Sequence, residues 1–159
     1  KSDVLEGDVE FIDVSNSTKS SALSVHKNAL SHFHAIILHT NKPEETIARY
    51  CWLTNQSSPR RIFGSSWKVG LDQQTIIVCS EEDVERIVPS VNVSNLPSIL
   101  GYALLTESLS KTKDCFSHNE LALQSLNRGS FLVKLPEFIS GNLIIGTSAA
   151  DFPWNGGFN

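Results

Sequence analysis

The sequence predicts an α/β fold, a mixed sheet flanked by helices. Two short uninterrupted apolar runs, Ala35-Ile36-Ile37-Leu38 and Thr75-Ile76-Ile77-Val78-Cys79, carry this reading together with a helix-start signal that follows each. An apolar run of that length suits a strand covered on both faces, as in parallel sheets. Strands alternating with helices are the pattern of an α/β sandwich.

The elements follow in chain order. Val9-Glu10-Phe11-Ile12-Asp13-Val14, rich in β-branched and aromatic residues, reads as a strand. Ala22, Val25, Ala29, Leu30 and Phe33 recur at helical spacing and predict a helix. After the first apolar run, Pro43 beside Glu44 and Glu45 marks a helix start, since proline is tolerated in the first turn and acids suit the dipole there. That helix runs through Ile47, Ala48 and Cys51 and stops near Asn55. After the second run, Ser80 caps a helix that begins with Glu81, Glu82 and Asp83 and ends at Pro89.

From Leu96 to Ser110 the spacing of Ile99, Leu100, Ala103, Leu104 and Leu109 supports a helix, with a strand after Pro97 as the alternative because Gly101 weakens a helix. Glu120 to Leu126 reads as a short helix, and Ser130 to Leu135 and Asn142 to Thr147 as strands. Asp151 to Asn159 is a turn-rich tail in which Asn155-Gly156 suits a tight turn. Residues 56–73 receive no element, and no internal repeat shows in the sequence.

A chain of 159 residues suits a single domain over 1–159 that needs no metal or disulfide to fold. The charged share is 19%, below the roughly 25% of an average soluble protein. Methionine is absent even from position 1, so the chain reads as a processed or excised part of a longer one. The net charge of −4, with Pro59-Arg60-Arg61 as the one local basic cluster, gives no reason to expect nucleic acid as a partner. No apolar run approaches the roughly 18–20 residues of a membrane span. Cys51, Cys79 and Cys115 are an odd number and cannot close a full disulfide set. Asn16, Asn55 and Asn92 head glycosylation sequons.

Candidate sites come next. Asp13-Val14-Ser15-Asn16-Ser17 resembles the D-x-S-x-S motif of von Willebrand factor A domains, which implies magnesium held by Asp13, Ser15 and Ser17, since hard cations prefer oxygen ligands. In that resemblance Asp83 is the one suggestive second acid, and helix capping by Ser15 or Ser17 is the plainer reading. His32, His34 and His39 crowd one segment; on a regular strand His32 and His34 point the same way, most simply as a solvent-facing or hydrogen-bonded pair. No nucleophile elbow and no glycine-rich phosphate loop occurs, and Cys79 in its apolar run reads as a buried small residue, so no cofactor and no enzyme are expected.

Val91 to Ile99 resembles the segment of thioredoxin-like domains in which a cis-proline precedes a strand, though the family's C-x-x-C is missing and a trans turn proline is the simpler expectation. Ser130-Phe131-Leu132-Val133, then Leu143 to Phe152, then Gly156-Gly157-Phe158, resemble the last strand pair of picorna-like virus capsid jelly rolls. That resemblance implies an all-β alternative fold and a capsid subunit released from a polyprotein. The leading expectation is a non-catalytic module that assembles with other protein chains, copies of itself included, through Phe152, Trp154 and Phe158. Those aromatics packed back on their own core are the plain alternative.

Overall fold

The computed structural model describes residues 27–91, 95–136 and 141–155. Its strands form one mixed sheet of eight. Two halves with the same plan make up this sheet. The first runs β1 (Leu30–His39), α1 (Pro43–Leu53), β2 (Arg60–Phe63), β3 (Ser66–Leu71) and β4 (Gln74–Cys79). The second runs β5 (Ser98–Thr106), α3 (Leu109–His118), β6 (Leu123–Ser125), β7 (Phe131–Lys134) and β8 (Asn142–Gly146). A short helix, α2 (Val84–Ile87), lies between them. In each half the first strand pairs parallel with the last, β1 with β4 and β5 with β8, and the halves meet where β1 and β5 pair antiparallel.

The same local chemistry turns each first strand into its helix. Thr40 ends the β1 side, and its hydroxyl accepts the Lys42 N–H at 3.1 Å and the Thr46 hydroxyl at 3.4 Å. Thr106 ends β5 and does the same, accepting the Ser108 N–H at 3.1 Å and lying 2.6 Å from the Thr112 hydroxyl. A threonine side chain that satisfies the free N–H groups at a helix start, with a second threonine of the helix locking it, fixes the angle at which the chain leaves the sheet.

α1 and α3 cover one face of the sheet. Under α1, Ile47 and Tyr50 pack on Leu38, Val69, Ile76 and Val78; near α3, Leu109 and Phe116 pack on Phe131, Val133 and Ile145. The opposite face, here the inner face, carries Ala35, Ile37, Ile77, Cys79, Leu100, Ala103, Leu132 and Ile144. It is covered by Val84 and Ile87 of α2 and by Phe152 and Trp154 from the turns that follow β8.

The α/β expectation holds: the mixed sheet is flanked by helices, with α1 and β4 where the sequence placed them. The jelly-roll alternative does not. Residues 131–134 and 142–146 are neighbouring strands, but β8 also pairs parallel with β5 and helices back the sheet, an arrangement foreign to two packed antiparallel sheets. The helical spacing at Leu30 and Phe33 belongs to strand β1, and that from Ile99 to Leu104 to strand β5. Gly101 decides the latter: a Cβ there would collide with the backbone carbonyl of Asn142, so only glycine lets β5 and β8 approach at this point. The second helix of the sheet is α3, and residues 123–125 are strand rather than helix. The Leu96–Pro97 peptide is cis, and β5 begins at the next residue.

Asp83 ties β2, β3 and the 81–83 turn together. Its Oδ2 accepts from the Ser65 N–H at 3.1 Å and from the Ser66 and Ser80 hydroxyls at 2.8 Å each, and Arg86 lies 3.6 Å from Oδ1. The Ser80 side chain thus donates to Asp83 instead of capping the helix backbone. Gly64, at φ +48°, completes the site, since a Cβ there would lie 2.5 Å from the carboxylate. Asp83→Ala leaves three donors without an acceptor, and urea unfolding should show a loss of about 3 kcal/mol; a loss below about 1 kcal/mol would contradict the assignment.

Candidate functional site

The centre of the inner face is a stack of three rings. His34 lies over Phe152 with centroids 4.9 Å apart and planes at 12°, and Phe152 lies over Trp154 at 5.1 Å and 8°. Phe152 is fully buried and Trp154 is 3% exposed. A register shift between Phe33 and Ala35 places His34 here: the extra residue turns His34 inward beside Ala35 while His32 and Phe33 stay exposed. His32 and His34 therefore do not share a face, contrary to the regular-strand expectation. Burial holds the His34 imidazole below its ordinary pKa, and the Lys68 charge adds to the effect. Its Nε2 finds no hydrogen-bond partner among the described residues, nor do both ring nitrogens of His39, which is also held low by burial, partly offset by Glu81.

The turns that carry Phe152 and Trp154 are fastened at both ends. The Asp151 carboxylate accepts from the Thr147 and Ser148 N–H groups at 2.8 and 2.9 Å and from both hydroxyls. Burial opposes its ionisation, but those hydrogen bonds outweigh burial and keep the pKa below the usual carboxylate range. At the other end Lys68 Nζ donates to Asn155 Oδ1 at 2.6 Å.

Beyond Lys68 the inner face is open. A cavity of about 350 Å³ is lined by Gln56, Ser58, Arg60, Lys68, Gly70 and Thr75, among others. Alternation along β3 sends Trp67, Val69 and Leu71 into the core under α1, so Lys68 and Gly70 face the inner side. Thr75, in the cavity wall, is the register partner of Ala35, the residue after His34. A Cβ built on Gly70 meets no atom within 4 Å. Two other cavities lie off this face, one beside Leu30, His32, Phe33 and Leu104, the other between Thr40, Glu44, Ser80 and Glu81 at the strand ends.

Of the sequence candidates, Asp13, Ser15, Ser17 and Phe158 lie outside the described residues. Phe152 and Trp154 pack against this chain's own sheet. Asp83 is held by serines and Arg86 as described. Cys79 is buried, with its thiol pushed up to about 12, chiefly by that burial, and is no nucleophile at neutral pH. Among the described residues no group of three His, Cys, Asp or Glu side chains is placed to hold a metal ion, and no helix is long and apolar enough to cross a membrane. Sequence reasoning missed Lys68, Gly70 and Thr75. The signal was present in the alternation of Trp67, Val69 and Leu71 with Lys68 and Gly70 after the Gly64-Ser65 turn, a hairpin pattern.

Each half closes with a parallel strand pair, and the halves join through their antiparallel first strands. Methylmalonyl-CoA epimerase has this fold. The enzyme from Mycobacterium tuberculosis superposes with a TM-score of 0.54 at 7% identity, covering 74% of this chain and 87% of that one. Lactoylglutathione lyase from Agrobacterium tumefaciens reaches 0.32 at 11% identity over 73% and 92%, too weak to argue from. No protein-family model matches the sequence, and no curated protein matches it.

These findings correct the functional expectations. The resemblance of residues 130–159 to a capsid jelly roll is overturned by the fold, and the capsid, polyprotein and assembly readings go with it. The adhesion-domain alternative falls for the same reason. The expectation of a non-catalytic chain, drawn from missing sequence motifs, is contradicted by a fold that an epimerase shares.

Because burial depresses both histidines, the unfolded chain takes up their protons first. Their contribution is complete above the unfolded pKa of about 6.5 and is lost as pH falls from there through the folded values. Urea midpoints should therefore drop between neutral and mildly acidic pH, and His34→Gln and His39→Gln should each flatten that drop. An unchanged slope in both variants would contradict the assignment.

Proposed function

We propose that the protein binds a small organic molecule in the cavity of the inner face at Lys68, Gly70 and Thr75, with His34 as the group for proton transfer. The observation that carries this is the cavity itself, about 350 Å³, within the roughly 300–1,000 Å³ of small-molecule pockets, on the one sheet face that also holds a neutral buried histidine. A neutral imidazole can accept a proton, and removal from water keeps it neutral at physiological pH. The fold neighbour supports the reading by its name, which gives it a small-molecule thioester to epimerise. No step through a metal is included, since the described residues of this face supply His34 without a group of further ligands.

Gly70 provides the test. Its backbone is unstrained for other residues and its Cβ direction is empty, so Gly70→Trp should fill the cavity and leave the fold intact. A library of small organic fragments screened by ligand-observed NMR should give hits on the wild-type protein that Gly70→Trp abolishes, with the urea midpoint unchanged. Hits that survive Gly70→Trp, or none with the wild type, would end this reading.

A further inference from the structure

We infer that the molecule bound in this cavity carries an oxyanion, a phosphoryl or carboxylate group, which bridges Arg60 and Lys68; the inference rests on the cavity reading above and names the chemical class of its ligand. The register of β2 and β3 places Arg60 directly opposite Lys68. Two like charges at such a cross-strand position repel, and the burial of Lys68, with Arg60 next in effect, holds its ammonium below the ordinary lysine pKa. Two other arginines face carboxylates. Arg61 lies 3.6 Å from Glu44 and over the Trp67 ring, and Arg86 lies 3.6 Å from Asp83. Arg60 and Lys68 have no carboxylate partner among the described residues, and no carboxylate lines the cavity.

The side chain that Lys68 hydrogen-bonds among the described residues is neutral. Asn155 Oδ1 takes one of its three donor hydrogens and leaves the charge uncompensated, with two donors to spare. Arg60 brings a planar fork of donors that fits two oxygens of one phosphate or carboxylate. Gln56, Ser58 and Thr75 add neutral donors around the same space. An oxyanion between the two cations relieves their repulsion and is held by charge-assisted hydrogen bonds.

The test titrates inorganic phosphate and, separately, malonate at constant ionic strength, with chloride as the control, and reads affinity by thermal shift and calorimetry. Wild type should bind at least one of the two. Arg60→Gln and Lys68→Gln should each weaken that binding about tenfold, whereas Arg61→Gln, which removes an equal charge from the other face, should leave it unchanged. Preference for phosphate or for malonate assigns the phosphoryl or the carboxylate source, and equal binding supports the shared oxyanion chemistry. Arg60→Gln should also raise the Lys68 ammonium pKa, read from its side-chain NMR titration. No binding of either anion, or binding indifferent to both Arg60→Gln and Lys68→Gln, overturns the inference. The two readings fail separately: fragment hits lost in Gly70→Trp but anion binding unaffected by Arg60 and Lys68 would leave the cavity reading standing alone. Anion binding that needs both cations yet tolerates Gly70→Trp would support the oxyanion and count against the cavity as its setting.

Discussion

The antiparallel pairing of β1 with β5 is the constraint on which the rest of the structure depends. Each half of the chain folds its own four strands and one helix, but neither half owns a complete inner face. Joining the first strands at the centre makes one continuous sheet of eight and aligns the two inner faces side by side. Ala35 and Ala103 stand opposite each other at that seam, both fully buried, and their small side chains leave room for the covering segments. Register irregularities in the same pairing then select which side chains turn inward. One of them brings His34 under Phe152.

What covers the inner face decides where chemistry can occur. α2 and the Phe152–Trp154 turns close its central part with apolar surface, and rings of this size contribute several kcal/mol each when fully buried. Against that, two nitrogens without a partner among the described residues, His34 Nε2 and Trp154 Nε1, cost about 1–3 kcal/mol apiece, so packing wins and the stack stays closed. The open end at β2 and β3 remains, with two cations and a glycine at its wall. A half-covered face thus has one wet, charged end against a dry centre that keeps an imidazole neutral.

Much of the first half was legible in the sequence because its signals are local. The apolar runs at 35–38 and 75–79 mark strands buried on both sides, and Pro43 with two acids marks α1. The second half was obscured where tertiary contact overrides local pattern. In β5 the run from Ile99 to Leu105 is apolar on both faces, so its spacing fits a helix as well as a strand, and the contact that selects the strand is with Asn142, far along the chain. The repeat was hidden because the halves share a plan rather than residues. Its trace is the pair Thr40 and Thr46 matched by Thr106 and Thr112, at the same six-residue spacing. The site was hardest to read. Arg60 was noticed only as part of a short basic cluster, and its meaning depends on Lys68 across a hairpin that no motif announces. The capsid resemblance failed because strand-like residues ending in small and aromatic side chains describe many C-terminal strands, and the pairing partner, β5, is invisible locally.

Amide chemical-shift mapping of the wild-type protein with a bound fragment tests the central claim most directly. The largest perturbations should fall on Arg60, Lys68, Gly70 and Thr75, with a smaller set reaching Ala35 through the seam. Perturbations centred on Leu30 to Phe33, or on Thr40, Glu44 and Glu81, would put the site in a different cavity and contradict the account.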